Sequence, residues 1–291
     1  MPIDTSETNS PESGSPLAFL RELTRELSTG RVELPSFPEV VTRVQRAVAD
    51  PDSTSERIVK VVGADGVLVS RLLTMANSAL LYRGEKVTGL RLAITRMGYS
   101  NVRTAALAYA NAQLRRAPAL EHIRADLEKY WQDSTQVAAL AYAIARENRS
   151  VPADEAMLAG LVHNIGKVYI ASRAPRNLAL NSNAELKDHL LAEWHAGIGQ
   201  AIVQNWKLSD DIATAIGGQC DRDRAHDGPA DLQDLLAMTI VLADQIAAKD
   251  GESTAASVLP GAKLLGLDEA AIIRVVFDLQ TDLLMLHTAL G

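Results

Sequence analysis

Three polar side chains that could take part in chemistry interrupt a strongly apolar stretch, residues 157–170 (MLAGLVHNIGKVYI). His163 and Asn164 are adjacent, and Lys167 follows one helical turn later, next to a glycine at position 166. An imidazole can bind a metal ion, and an ammonium group can bind a phosphate. Burying such groups is costly unless they are hydrogen-bonded. We therefore expect the stretch, as one helix at the centre of a bundle, to carry a site or its remnant.

The composition of the 291-residue chain predicts an all-α fold. Hydrophobic residues make up 47% of the sequence and aromatic residues only 4%, so the core must consist mainly of Leu, Ala, Val and Ile. Ala and Leu are strong helix formers, and small side chains let helices approach closely. The expected architecture is a compact multi-helix bundle in two helical layers.

The charge balance and the pattern of apolar runs limit the classes of function. A net charge of −7 argues against nucleic acid or an anionic membrane as the main partner. The chain does not open with a secretory signal, and its longest nearly apolar run, 235–248, contains Asp244 and is too short to span a bilayer. We therefore expect a cytoplasmic protein with no membrane partner.

Several motifs occur in the order that is typical of HDOD domains, the HD-related output domains of bacterial signalling proteins. The chain resembles this family from about residue 34 to residue 248. The motifs that carry the resemblance are LPSFPEV (34–40), DPDS (50–53), the 65–78 segment with its helical apolar spacing, the 87–98 segment that ends in glycine, YWQDS (130–134), LAGLVHNIGK (158–167), HAGIGQAIVQNW (195–206) and LAD (242–244).

The resemblance implies a division of the chain into a central HDOD domain and two flanking segments. The first residues are Ser, Thr, Pro and Glu with few apolar residues, which predicts a disordered tail. The last segment has apolar residues at helical spacing, which predicts a helix behind Asp268. The expected units are the tail at 1–15, the HDOD domain at 16–250 with an N-terminal helical subdomain (16–116) and an HD-like subdomain (117–250), and a C-terminal helical extension at 251–291 packed on the HD-like half.

HDOD domains are similar in their second half to HD phosphohydrolases, and this similarity implies where a metal site would lie. The HD metal ligands are an upstream His, an adjacent His-Asp pair and a later Asp. In this chain Asp133 stands at the upstream position, His163 and Asn164 stand at the pair, and Asp244 stands at the later position. Lys167 corresponds to the Lys of the HDxGK motif, where a cation suits a phosphate.

Two departures from the HD pattern argue for a degenerate site. Asn164 replaces an anionic ligand with a neutral amide, and Asp133 replaces an imidazole with a carboxylate. Asp133, His163 and Asp244 would remain as a weak set for Mg²⁺ or Mn²⁺, because hard ions accept oxygen ligands. We expect no metal or other cofactor. In this interpretation His163 and Asn164 hydrogen-bond to each other and to neighbouring groups, and Lys167 neutralises a carboxylate.

Other residues with reactive side chains carry weaker signals. His195 begins an amphipathic stretch and is interpreted as a core or helix-surface histidine. Cys220 is the single cysteine, which excludes an intramolecular disulfide and a thiolate-rich zinc site, and we interpret it as a bystander. The segment from 83 to 116 is rich in basic residues, which indicates either a solvated face or a dock for an acidic partner. The residues of that candidate partner face are Arg83, Lys86, Arg91, Arg96 and Arg103.

Three hypotheses of function follow from these residues and from the resemblance. The first is a non-catalytic signal-transduction module that acts through protein–protein interaction with other signalling proteins, with a homodimer left open. The second is a metal-dependent phosphohydrolase, acting on a nucleotide or a phosphodiester, with altered ligands. The third, weaker hypothesis is nucleic-acid binding through the basic segment, which would depend steeply on salt.

Overall fold

The structure of the chain is a computed structural model. It describes residues 21–22, 24–26, 28–29, 38–78, 85–173, 184–248 and 254–277. All regular secondary structure within these ranges is helical, with no strand among the described residues. The predicted all-α class is therefore confirmed.

Within residues 38–78 and 85–116 the structure describes four helices, and the first three pack against the fourth. Side-chain caps begin two of them: Thr54 accepts a hydrogen bond from the backbone N–H of Arg57, and Asp65 accepts two from the first turn of the next helix. The helices are α1 (Glu39–Ala49), α2 (Ser55–Gly63), α3 (Gly66–Ala76) and α4 (Leu90–Arg116).

Gly98 divides α4 into two segments, as the sequence predicts from an apolar helix that ends in glycine. Its φ of 76° lies in the left-handed region, which glycine adopts without the clash that a Cβ would cause. The second segment of α4 is buried along most of its length. It carries the contact between the N-terminal helices and the second half of the chain.

In residues 118–173 and 184–248 the structure describes a 3₁₀ turn and six helices around a shared apolar core. The long helix α5 packs on α6 and α10, while α8 packs on both α7 and α9. These elements are the 3₁₀ turn Pro118–Ile123, α5 (Arg124–Asn148), α6 (Ala153–Val162), α7 (Ile165–Arg173), α8 (Ala184–Asn205), α9 (Asp210–Gly218) and α10 (Leu232–Ala248).

The expected unbroken helix over 157–170 is wrong. Helix α6 ends at Val162, a two-residue turn holds His163 and Asn164, and α7 begins at Ile165. The carbonyl of Asn164 accepts the first hydrogen bond of α7, from the N–H of Val168. The polar pair therefore lies at a junction between two buried helices, where side chains can face a cavity instead of the middle of a helix.

Helical segments after α10 pack back onto the second half. Two short helices, α11 (Thr254–Ser257) and α12 (Pro260–Leu264), contact α10. A further helical segment, α13, covers 269–277, and Asp268 caps it by accepting the N–H of Ala271, as predicted. The predicted tail at 1–15 and the end of the predicted last helix lie outside the described residues. In the described part of the chain, every helix is too short or too polar to cross a membrane.

Candidate cleft at the HD positions

All five predicted HD positions line one cleft of about 250 Å³. Asp133 comes from α5, Asp244 comes from α10, and Lys167 comes from the first turn of α7. His163 and Asn164 come from the turn between α6 and α7. Because these elements are far apart in sequence, the fold itself assembles the site that the resemblance implies.

Gly166 lets α7 lie directly against α8 beside this cleft. A Cβ atom at position 166 would lie 1.9 Å from the backbone oxygen of His195 and 2.9 Å from the backbone nitrogen of Gly199. No side chain fits between the two backbones. The glycine that the sequence places inside an apolar helix therefore has a packing role, and it brings His195 close to the turn at 163–164.

His163 is a buried, neutral imidazole with a defined tautomer. Its Nδ1 lies 2.7 Å from the carbonyl oxygen of Gly160, which can only accept, so Nδ1 carries the proton. Burial lowers the pKa of His163 to about 3, and the nearby Lys167 adds to this effect against the opposing hydrogen bond. The ring is thus uncharged at neutral pH, and Nε2 is the nitrogen with a free lone pair.

Asn164 is buried and incompletely hydrogen-bonded. Its amide nitrogen donates at long range to the hydroxyl of Ser134 (3.4 Å) and to the carbonyl of Tyr130 (3.5 Å). Its Oδ1 has no partner among the described residues. A cavity of about 20 Å³ borders Asn164, Ser134 and Tyr130, which is room for about one water molecule. The expected hydrogen bond between His163 and Asn164 is absent from the described residues, since each bonds elsewhere.

The charges around the cleft offset one another. Burial lowers the pKa of Lys167, while the carboxylates of Asp133 and Asp244 oppose that shift. Burial raises the pKa of Asp133, with Asp244 adding to the rise and two lysines opposing it. The guanidinium of Arg222 lies 3.9 Å from the carboxylate of Asp244, and both side chains are more than half exposed. Two cations thus face two carboxylates.

Four further polar residues of the cleft were not predicted from the sequence: His195, Gln219, Cys220 and Arg222. His195 is only 7% exposed, and its Nε2 lies 3.7 Å from the Sγ of Cys220. Gln219 donates to the backbone carbonyl of His163 at 3.2 Å. For His195, its place at the start of HAGIGQAIVQNW was a usable signal. For Cys220 no local pattern exists, because only the fold brings it to His195.

The residues do not fit the metal ion that the HD resemblance implies. Within the described ranges, one group of His, Cys, Asp or Glu side chains has three donor atoms all within 4.8 Å of one another, and it lies outside the cleft. Asp133, His163 and Asp244 do not converge in this way. Asn164 supplies a neutral amide where a metal would need an anionic ligand.

That converging group, His226, Asp231 and Asp234, is already occupied by protein hydrogen bonds. Arg224 bonds to Asp231 at 2.6 and 2.8 Å and to Asp234 at 2.9 Å. His226 Nε2 lies 2.9 Å from the carboxylate of Asp234, and Asp231 also accepts the N–H groups of Gln233 and Asp234. We call these four polar side chains (Arg224, His226, Asp231, Asp234) the 224–234 cluster. It ties the loop before α10 to that helix.

The candidate partner face is only partly a free surface. Arg83 lies outside the described residues, whereas Lys86 and Arg91 are exposed. Arg91 lies 3.5 Å from the carboxylate of Glu56. Arg96 donates to the carbonyl of Glu85 at 2.6 Å, and burial lowers the pKa of Arg103 against the opposing charge of Glu155. Lys86 and Arg91 are therefore the described members best placed to meet a partner.

Comparison with known proteins identifies the family. The HDOD domain model matches residues 34–221, which is more than half of the chain, so the chain belongs to the HDOD family. It is also 26% identical over 195 residues to an uncharacterized protein of Treponema pallidum, covering 63% of this chain. The chain spans 37% of the length of that relative.

Solved structures show the same fold at low sequence identity. A Shewanella amazonensis protein, provisionally named a metal-dependent phosphohydrolase, has a TM-score of 0.71 at 23% identity, covering 94% of this chain and 98% of its own. An HDOD domain protein of unknown function from Geobacter sulfurreducens has a TM-score of 0.60 at 21% identity, covering 92% and 96%. A Marinobacter aquaeolei protein, provisionally assigned to signal transduction, has a TM-score of 0.58 at 22% identity, covering 93% and 65%.

Proposed function

We propose that the chain is a non-catalytic signal-transduction module whose HD cleft is degenerate and which acts by binding other signalling proteins. The observation that carries the proposal is the cleft itself. Its HD positions face one another across about 250 Å³, but their donor atoms do not converge as a metal set. Membership of the HDOD family and the fold shared with a protein provisionally assigned to signal transduction support the signalling role.

Charge balance supports the loss of catalysis. A divalent ion in an HD site is held by anionic ligands and imidazoles, and it lowers the pKa of a bound water. Here Lys167 and Arg222 face the carboxylates of Asp133 and Asp244. The lining therefore has little net negative charge to attract a divalent metal ion. Asn164 removes the anion that would complete the set.

The first test of the proposal measures divalent metal binding. The wild-type chain is purified without chelator, equilibrated with Mn²⁺, desalted and analysed for metal content. We expect less than stoichiometric Mn²⁺. The matched variant is Asn164→Asp, which returns a carboxylate to the HD pair and is expected to bind Mn²⁺ more tightly. Stoichiometric Mn²⁺ in the wild type that is lost in both His163→Ala and Asp244→Ala would contradict the proposal.

The alternative, a metal-dependent phosphohydrolase with altered ligands, draws on one specific observation. His163 holds the tautomer of a typical metal ligand, with Nδ1–H on a backbone carbonyl and Nε2 left free. This alternative predicts Mn²⁺-dependent hydrolysis of a generic phosphodiester substrate. It also predicts loss of that activity in Asp133→Ala, His163→Ala and Asp244→Ala. A rate that is the same in the wild type and in all three variants would exclude it.

The protein-binding part of the proposal needs a separate test, directed at the exposed basic residues before α4 and in its first turns. Arg91→Glu reverses one charge there, and Arg274→Glu makes the same change of net charge on α13, where the arginine is also exposed. Cross-linking in the native host followed by mass spectrometry should yield a partner that Arg91→Glu loses and that Arg274→Glu keeps. Equal recovery of every cross-linked protein in both variants would contradict binding through this face.

A further inference from the structure

We propose that the cleft binds a small zwitterion, an α-amino acid with an apolar side chain, between Lys167 and Asp133. The carboxylate of the ligand contacts Lys167, and its ammonium group contacts Asp133 and Nε2 of His163. Such a ligand is an input to the signalling module. This role rests on the proposed function, because it requires a cleft without a metal ion.

Lys167 and Asp133 are two opposite charges that line one cleft without contacting each other. Lys167 lies in the first turn of α7, and Asp133 lies on α5. Neither side chain makes a hydrogen bond or a direct ion pair within the described part of the chain. Each charge still favours the ionised form of the other against the effect of burial on its pKa. Partly buried charges are stabilised by a hydrogen-bonded partner of opposite sign, and a zwitterion supplies one to each.

His163 supplies a buried hydrogen-bond acceptor in the same cleft. Its side chain is 3% exposed, its Nδ1 donates to the carbonyl of Gly160, and its Nε2 makes no hydrogen bond within the described residues. Because burial keeps the ring neutral, Nε2 accepts a hydrogen bond and does not attract an anion. An ammonium group donates to such a nitrogen, whereas a carboxylate or a fully ionised phosphate does not.

The end of the cleft at α7 suits the carboxylate of the ligand. Lys167 lies in the first turn of this helix, where the positive end of the helix dipole adds to its charge. The other cation of the lining, Arg222, lies 3.9 Å from Asp244, and both of these side chains are more than half exposed. Since this exposed pair balances its own charges, Lys167 and Asp133 are the charges left for a ligand inside the cleft.

The apolar part of the lining and the volume of the cleft limit the rest of the ligand. The apolar side chains come from α5 and α10 and are Val137, Ile240, Ala243 and Ala247. The volume of about 250 Å³ lies below the range of about 300–1,000 Å³ that is typical of pockets for drug-sized ligands. An aliphatic amino acid fits both limits, because it joins a few apolar carbons to one carboxylate and one ammonium group. A nucleotide is larger, and the two carboxylates of the cleft would repel its phosphates.

The first test compares ligands on one protein, the 291-residue chain after treatment with a chelator. Isothermal titration calorimetry measures the binding of L-leucine, of N-acetyl-L-leucine, which lacks the ammonium group, and of L-leucinamide, which lacks the carboxylate. We expect L-leucine to bind and each of the other two to bind at least about tenfold more weakly, since each loses a charge-assisted hydrogen bond. The proposal is wrong if L-leucine, L-valine and L-methionine all fail to bind, or if N-acetyl-L-leucine binds as tightly as L-leucine.

The second test removes the two charges from the protein. Lys167→Met and Asp133→Asn should each weaken the binding of L-leucine at least about tenfold. Lys60→Met is the matched control, because Lys60 is exposed on α2, outside the cleft, and its loss changes the net charge as Lys167→Met does. It should bind L-leucine as the wild type does, and circular dichroism should show that all variants are folded. Equal affinities in the Lys167 and Lys60 variants would overturn the proposal. The proposed function would still stand, since its own failure appears as stoichiometric Mn²⁺ and the chelator-treated protein holds no metal.

Discussion

The cleft and the 224–234 cluster are two sets of polar side chains in the same half of the molecule, but they differ in how their hydrogen bonds are used. In the cluster, each carboxylate is bound by Arg224 and by backbone N–H groups. In the cleft, Asn164 Oδ1 and His163 Nε2 make no hydrogen bond among the described residues. A saturated network stabilises a fold, whereas buried groups left open are available to a ligand.

The difference also explains why the described group whose donor atoms converge most closely is a poor candidate for a metal site. His226, Asp231 and Asp234 converge, but Arg224 already supplies the positive charge between the two carboxylates. His195 Nε2 and Cys220 Sγ, 3.7 Å apart in the cleft, are likewise within hydrogen-bond distance of each other. Convergence alone does not define a site. The donors must also have unused capacity.

The largest effect on stability is expected from Gly166→Ala, which disrupts the close contact between α7 and α8 beside the cleft. The added Cβ would overlap the backbone of α8 at His195, and backbone cannot move aside as a side chain can. We expect the free energy of unfolding to fall by about 4 kcal/mol or more, as for severe overpacking. Urea unfolding followed by circular dichroism measures the change.

Gly197→Ala is the control for that variant, since a Cβ at position 197 meets no atom within 4 Å. Because Gly197 lies within α8, alanine should stabilise the chain by about 0.5–1 kcal/mol. Similar unfolding free energies for the two variants would contradict the close approach of α7 and α8.

Arg224→Ala breaks the 224–234 cluster and should have the next largest effect. The side chain of Asp234 is 2% exposed, so the variant leaves a buried carboxylate with His226 as its remaining side-chain partner. Removing one member of a buried ion pair costs about 3 kcal/mol. Arg222→Ala, two residues away, removes an exposed contact of 3.9 Å to Asp244 and should cost less than about 0.5 kcal/mol. Equal losses of unfolding free energy in Arg224→Ala and Arg222→Ala would show that the hydrogen bonds of the 224–234 cluster stabilise the fold no more than the exposed contact does.

Asn164→Leu tests whether the polar side chains of the cleft contribute less to stability than those of the 224–234 cluster. The hydrogen bonds donated by the side-chain amide of Asn164 are long, and its Oδ1 has no partner in the described chain. An apolar side chain of similar size therefore loses little hydrogen-bond energy. We expect a change in unfolding free energy within about 1 kcal/mol, and stabilisation would also agree with the argument. A loss near that of Arg224→Ala would mean that Asn164 belongs to a satisfied network, such as one completed by a buried water.

The sequence predicted the fold class, because apolar spacing is a local property, and the five positions that the family motifs group together line one cleft in the structure. The prediction of one helix over 157–170 failed at the turn at 163–164, because the apolar residues on both sides of the turn are compatible with one long helix or with two short ones. Sequence reasoning also failed at Cys220, since nothing near this residue shows that α8 and the end of α9 bring it to His195. The division into a tail, two subdomains and an extension remains a prediction.

The smallest effect on stability is expected from Asp133→Asn, and its size depends on pH. Burial, with the like charge of Asp244, raises the pKa of Asp133 above its ordinary value of 3.8. A carboxyl group whose pKa is raised by folding binds its proton more tightly in the folded state, so the wild type loses stability as pH rises from 3.8 through the folded pKa. Asn164→Leu should not show this dependence, because neither side chain ionises.

The expected gain for Asp133→Asn is therefore absent below the ordinary pKa and grows to under about 1 kcal/mol at neutral pH, because Asp133 is only half-buried and solvent screens it. Urea unfolding of the variant and the wild type at pH 4 and pH 7 measures this difference. A variant less stable than the wild type at pH 7 would show that the Asp133 carboxylate stabilises the cleft through its contact with Lys167. The cleft would then resemble the 224–234 cluster, because its charged side chains would stabilise the fold and would not be available to a ligand.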